Sequence, residues 1–294
     1  MIWWLLLPTC IATGAAFGAA SIQRRLRPDW ATWTLTALAG GTALAVLWAL
    51  GGLAIGFAVE QPALAGIFGW CSAFFSSHDR VPPPVGIAAW IAVGAMSVAG
   101  LRKFRQRRSA VADVGDEILA MAEPLAFAIP GRPGRVVVST GMLASLDRDE
   151  LDVLFAHENS HLRHHHHRFL DVAEAAAAAV PLVRPLSRQV RFATERWADE
   201  DAAREVGDRR LVARAIAHAA LAANRTAPPS PTLAFTGYGT TARVEAMMQP
   251  LGRDPKATVA LVILGLAGVI LSMGGSTVQF HHVLEFLGHV CRIG

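Results

Sequence analysis

Asp147-Arg148-Asp149-Glu150-Leu151-Asp152-Val153-Leu154-Phe155-Ala156-His157-Glu158-Asn159-Ser160-His161 is the stretch on which the fold and chemistry of this chain turn. Asp147 supplies a side-chain oxygen for a helix start, and Glu150 three residues on completes a capping box. Leu151 to Ala156 form helix well, so the histidines behind them read as helical. His157 and His161 then stand at i and i+4, one above the other on one face. Two imidazoles so placed can hold one zinc ion, and Glu158 beside them can take the proton of a water held there. The five-residue HExxH pattern alone is a weak signal. The capped helix around it and a candidate third ligand give it weight. The bland alternative is a surface helix rich in histidine, and the run His164, His165, His166, His167 is a reason to weigh it. That run lies between stretches of ordinary helix sequence, not at a terminus, and reads as native rather than as a tag.

Two residues compete to be the third ligand. Glu195 sits in Thr194-Glu195-Arg196-Trp197-Ala198-Asp199, on a helix expected over 186–206 and closed by Gly207. His167 falls ten residues after His157, where a third histidine would stand if the helix broke and turned back. Glycine normally allows such a break; the position holds His164, and nothing else in the sequence stops the helix there. Glu195 is therefore favoured, giving His157, His161 and Glu195 around one Zn2+ per chain. Asp199, at i+4 from Glu195, is placed to accept the free N–H of a metal-bound histidine. Glu200 and Asp201 beside it read as ordinary solvated acids.

The rest of the chain is unusually apolar. Of its 294 residues 53% are hydrophobic, and the mean hydropathy is +0.37, too high for an ordinary soluble enzyme. Four stretches, 2–20, 31–59, 85–101 and 257–273, approach the ~20 residues that span a bilayer. The first has no basic residue before it and a basic cluster after it, so it reads as a retained span and not a signal peptide. Arg24, Arg25 and Arg27 follow the first span. Arg102, Lys103, Arg105, Arg107 and Arg108 follow the third, and Arg253 and Lys256 precede the fourth. All of these belong on the cytoplasmic side. Loop 60–84, whose single basic residue is Arg80, belongs outside. The expected organisation is 1–108 with three spans, 109–255 as a cytoplasmic catalytic domain, and 256–294 with the last span and a short outer tail, both termini outside. Segment 62–75, with Trp70, Phe74 and Phe75, is short for a span and reads as interfacial or re-entrant. The domain 109–255 holds 16 Lys and Arg against 19 Asp and Glu. The net charge of +4 and the pI near 9.5 therefore come from the membrane-flanking clusters, and no nucleic-acid site is implied.

Within the domain, 125–129 and 135–140 read as two short strands around the turn Pro130-Gly131-Arg132-Pro133-Gly134. A free strand edge near the metal could hold an extended peptide by main-chain hydrogen bonds; a plain structural hairpin is the other reading. Asp208 can cap a helix over 209–223. Ala227-Pro228-Pro229-Ser230-Pro231 then breaks the pattern before a last helix near 240–249. His218 reads as a packed or surface histidine. Cys10, Cys71 and Cys291 lack metal spacing; Cys10 lies inside the first expected span, and Cys71 and Cys291, both on the outer side, read as two free thiols, with a disulfide between them as the alternative.

These features together resemble the BlaR/MecR-type integral membrane metallopeptidases, relatives of the HtpX and CAAX-prenyl proteases. The resemblance is carried by Arg135-Val136-Val137-Val138-Ser139 leading into Gly141-Met142-Leu143, by Glu150-Leu151, by His157-Glu158-Asn159-Ser160-His161-Leu162-Arg163 and by Glu195-Arg196-Trp197-Ala198-Asp199. Three spans, a cytoplasmic domain and a fourth span also match; HtpX-like enzymes usually divide their spans differently. The resemblance implies a mainly α membrane fold in a bacterial plasma membrane: four transmembrane helices with a cytoplasmic α+β gluzincin-like zinc protease domain. It implies zinc on His157, His161 and Glu195, Glu158 as general base, and a cytoplasmic transcriptional repressor as substrate. About 21 residues, 274–294, follow the last expected span, too few for a penicillin-binding sensor domain. The outer loop or a separate sensor protein would then carry any signal, and self-association stays open. Three functions share these features: regulatory proteolysis, HtpX-like quality control of membrane proteins, and a non-catalytic signalling protein with a structural metal. The intact Glu158 speaks against the last.

Overall fold

The computed structural model describes residues 26–59, 61, 81–109, 117–226 and 239–249, with isolated positions 14, 260, 264 and 267. Helix α1 (Pro28–Val59) and helix α2 (Pro83–Ser109) are both long and apolar enough to cross a membrane. They cover the expected spans 31–59 and 85–101 and extend them. The expected spans 2–20 and 257–273 lie, isolated positions apart, outside the described residues, as do segment 62–75, the Pro-rich stretch 227–231 and all three cysteines.

A mixed α+β domain follows. Strands β1 (Ile118–Leu119), β2 (Ala126–Ile129) and β3 (Arg135–Ser139) form a sheet in the order β1-β3-β2. The β-branched run Val136-Val137-Val138 suits the central strand. It pairs parallel with β1 and antiparallel with β2, Ala128 opposite Val136. The sequence reading held β2 and β3 as a hairpin; β1, two residues long, carries no periodicity to find. β3 runs into helix α3 (Thr140–Ser145), where Ser139 Oγ accepts from the Met142 N–H and donates to the Glu123 carbonyl.

Helix α4 (Arg148–Arg163) carries the HExxH motif. Its start is a full capping box: Asp147 Oδ1 accepts from the Glu150 N–H at 2.8 Å, and Glu150 Oε2 accepts from the Asp147 N–H at 3.2 Å. Its buried face runs Glu150, Val153, Leu154, His157, Ser160, spaced by three and four residues. The packing that anchors the helix therefore also fixes the metal-facing side chains. Leu154 joins α4 to Ala126 and Val138 of the sheet, Met142 of α3 and Ala219; its replacement by alanine would cost about 2–5 kcal/mol.

The sequence predicts that α4 continues past His164, and the structure corrects this. α4 ends at Arg163, His165 takes a left-handed conformation (φ 52°), and helix α5 (His166–Ala179) starts afresh. Histidine is one of the few residues besides glycine that enters this region readily, so a single residue makes the break. A 3-10 turn (Pro181–Val183) leads to helix α6 (Arg184–Val206), closed by Gly207 at φ 77°. Asp208 Oδ1 accepts from the N–H groups of Arg210 and Leu211 and starts helix α7 (Arg209–Thr226); helix α8 (Thr240–Met248) completes the described domain.

Two cores flank the site. Val153 and Ala156 of α4 meet Ala202 of α6, Ile216 of α7 and Met247 of α8. Phe169, Ala173 and Ala176 of α5 meet Leu35 and Ala39 of α1 and Val190 of α6. α6 is thus covered on several sides, which overturns the reading of Glu200 and Asp201 as solvated acids. Both are buried. Glu200 pairs with Arg209. Asp201 accepts from Ser160 Oγ at 2.7 Å, lies 2.7 Å from His164 Nε2, and takes Arg204 at 2.6 Å, tying α6 to α4.

Candidate metal centre

α4 and α6 bring the candidate ligands together. The Nε2 atoms of His157 and His161 are 3.1 Å apart. Glu195 Oε2 lies 3.6 Å from the first, and Oε1 3.8 Å from the second. A tetrahedral zinc with arms of ~2.1 Å has ligand–ligand edges of about 3.4 Å. The three donors therefore stand on a zinc-sized triangle. Among the described residues, they present ligand atoms all within 4.8 Å of one another. Two imidazoles and one carboxylate, with a fourth corner left for water or substrate, form the donor set of a catalytic zinc.

Charge gives a second test of fit. Glu158, Glu195 and Asp199 are buried together, and the cation among them is Arg243, wholly buried on α8. With the histidines neutral, as ligands must be, and Glu158 ionised, three carboxylates and one guanidinium leave two negative charges, which a divalent ion balances. Sequence reasoning missed Arg243, which lies 44 residues beyond Asp199. Its fork is bidentate on Asp199, at 2.8 and 2.6 Å, and Nη1 lies 3.0 Å from Glu195 Oε2. The signal was indirect: two carboxylates one turn apart on a buried face require a cation.

Each histidine has a partner behind it. Asp199 Oδ1 lies 3.0 Å from His157 Nδ1. His161 Nδ1 lies 2.8 Å from His166 Nδ1, and His166 is buried against Trp197. The break at His165 therefore swings His166, not His167, toward the metal triangle. His167 lies half-buried near Asp171 instead. His218 is half-exposed and pairs with Glu150 at 2.6 Å.

Glu158 is buried and accepts from the Ala128 N–H of β2. Ala128 uses that N–H away from β3, so Glu158 lies off the edge of the sheet that no strand pairs among the described residues. Burial pushes the Glu158 carboxyl up to about 7, with His157 pulling it down and Glu195 pushing it up. Burial also takes His161 down to about 4. On Glu195 burial is overcome by Arg243 and His157, which hold it at about 2; Asp199 lies well below the usual carboxylate range for the same reason. On His157 burial is outweighed by hydrogen bonds to Asp199 and Glu195, which raise it to about 9.

Residues 106–175 match the model of peptidase family M48. The HtpX protease homologues of Streptococcus agalactiae serotypes Ia and V are 38% identical to this chain over 69 residues, 23% of either protein. The homologue of Streptococcus thermophilus is 35% identical over 69 residues, again 23% of either protein. The chain thus spans about a quarter of the length of the curated relatives it matches. The family match takes in the HExxH helix and stops before Glu195, so the third ligand rests on geometry. No solved structure matches the chain.

Proposed function

We propose that this protein is a membrane-anchored zinc endopeptidase of the M48 type, with one Zn2+ on His157, His161 and Glu195. The observation that carries the reading is the zinc-sized donor triangle with a buried carboxylate, Glu158, between it and a strand edge left unpaired among the described residues. Zinc, when bound, supplies a Lewis acid that acidifies water and polarises a scissile carbonyl. Glu158 accepts the water's proton at its carboxylate and returns it to the leaving amine. The free edge of β2 binds the substrate main chain in extended form. Asp199 and His166 orient the two imidazoles through their Nδ1 atoms, and Arg243 holds Glu195 and Asp199 in place.

The similarity to HtpX homologues supports quality-control proteolysis of membrane proteins as the role, ahead of cleavage of a single repressor in a BlaR/MecR-like system. The Lys/Arg asymmetry of the sequence supports a four-span chain, its catalytic domain 109–255 in the cytoplasm and both termini outside.

Glu158→Gln tests the chemistry. The amide preserves size and lies outside the metal triangle, so zinc content should stay at one per chain. Peptide hydrolysis should fall by at least ~10²–10⁴-fold. Retained hydrolysis with zinc in place would refute the base and favour a structural metal. Comparing cellular proteomes with the wild-type and Glu158→Gln chains decides the role: many shortened membrane proteins mean quality control, one cleaved repressor means regulation.

A further inference from the structure

Helix packing locates the bilayer surface. α1 has 32 residues, about 48 Å at ~1.5 Å each, against a hydrocarbon core of about 30 Å. Part of it must lie outside. α2 is apolar to Leu101 and basic from Arg102. The two helices are antiparallel: Leu53 and Ala54 pack on Ala89, and a Cβ at Gly86 would lie 2.1 Å from the Phe57 ring. Carried along, that register sets Arg102 level with Gly41. A charge cluster stands at the same height. Arg107 of α2 meets Asp171 at 2.6 Å and Glu174 at 2.7 Å, Lys103 meets Glu174 at 3.3 Å, and Arg191 of α6 also pairs with Glu174. Val172, between the two acids, would touch a Cβ at Gly40 at 3.5 Å. Five charges do not sit in hydrocarbon. Two markers therefore agree that the hydrocarbon begins beyond Gly40 and Gly41 on α1, on the Leu53 side of the charge cluster. The start of α1, with Leu35, Leu38 and Ala39, belongs to the core of the catalytic domain.

α5 runs on past the charge cluster toward the membrane, where Gly100 lies against Ala175 and Ala179. The corner between α5 and α6 thus arrives at the lipid surface. Its outward residues are apolar, Pro181, Leu182 and Pro185, with Leu182 48% exposed. Arg184 and Arg188, i and i+4 on α6, are exposed beside them and make no ion pair among the described residues. An apolar tip flanked by cations, continuous with the apolar face that α2 exposes among the described residues, fits the boundary between acyl chains and headgroups.

We propose that this corner is a lipid contact: Pro181 and Leu182 enter the acyl boundary, and Arg184 and Arg188 lie at lipid phosphates. The proposal rests on the membrane reading of α1 and α2. It fixes the height of the metal centre. Eleven residue steps of α6 separate Arg184 from Glu195, about 16 Å. A substrate chain leaving the bilayer needs about five extended residues to reach that height at ~3.3 Å each. Cleavage then falls in juxtamembrane or fully exposed segments, never within the hydrocarbon.

The test uses the full chain in vesicles of mixed phosphatidylcholine and phosphatidylglycerol, with Cys10, Cys71 and Cys291 replaced by serine. A polarity-sensitive fluorophore is placed in turn on Leu182→Cys, Ile91→Cys and Glu205→Cys. Nitroxide lipids labelled near the headgroup should quench the 182 label, those labelled near the chain end should quench the 91 label, and aqueous iodide should quench only the 205 label. Adding Arg184→Glu and Arg188→Glu should move the 182 label into iodide reach. Iodide quenching at 182 equal to that at 205 overturns the lipid contact. Deep quenching at 182 like that at 91 overturns the assigned surface. Absence of lipid quenching at 91 overturns the membrane reading itself. None of these readouts depends on catalysis, so a failed protease reading would register separately.

Discussion

Replacing Arg243 by methionine isolates the energetics of the metal centre. The substitution keeps roughly the volume and removes the guanidinium buried between Glu195 and Asp199. Removing one partner of a buried ion pair costs about 3–5 kcal/mol, because the other partner stays buried without its counter-charge. In metal-free protein, His157 is raised to about 9 by Asp199 and Glu195 against the effect of burial, so it carries a proton and offsets one carboxylate. The loss should therefore fall at the low end, about 3 kcal/mol. For a domain of this size that is a drop in Tm of about 6–12 °C. The assay is thermal unfolding of the metal-free, detergent-solubilised chain, since bound zinc would add its own linkage. Arg243→Lys, which keeps the charge and loses the fork, should land between the two. Arg204→Met is the control: its pair with Asp201 leaves the Arg204 side chain 61% exposed, and its loss should cost less than about 1 kcal/mol. Equal Tm shifts for Arg243→Met and Arg204→Met would refute the role given to the buried guanidinium.

Other outcomes follow from the same geometry. His166→Ala should weaken zinc about 10–100-fold in a chelator competition, and His166→Asn, whose amide oxygen can accept from His161, should recover part of it. His167→Ala should leave affinity unchanged; the reverse pattern would return His167 to the metal. Asp199→Asn should also weaken zinc by about 10–100-fold. Glu158 must be ionised to accept a proton. Burial holds its carboxyl up to about 7, and a divalent ion beside it acts the other way. Hydrolysis should therefore be lost as pH falls through an acid limb at or below pH 7. A profile of kcat/KM still climbing well above pH 8 would remove Glu158 as the base.

How far the sequence could be read depends on the range of each interaction. The capping box at Asp147, the C-terminal stop at Gly207 and the i,i+4 pairs 157/161 and 195/199 are local, and each stands where its spacing put it. The meeting of α4 and α6 was readable only because metal chemistry demands a third donor. Arg243 and the burial of Glu200 and Asp201 depend on which helices cover α6, and local pattern does not carry that. The break at His165 was lost to a rule of thumb: glycine is the usual residue at a left-handed position, but histidine also fits. α1 misled by its uniformity. An apolar run that ends inside a protein core looks the same as one that ends in lipid, until the partner helix shows where charge begins.

Arg243 also sets an order in time. The chain grows at roughly 5–20 residues per second. The 44 residues between Asp199 and Arg243 therefore take roughly 2–9 s to make. Through that interval Glu195 and Asp199 already share one face of α6 with no cation to bury them against. Until then α6 closes on α4 less firmly, by the same ~3 kcal/mol that Arg243→Met removes. The contacts that hold Glu195 and Asp199 are complete only when the last described helix has joined them.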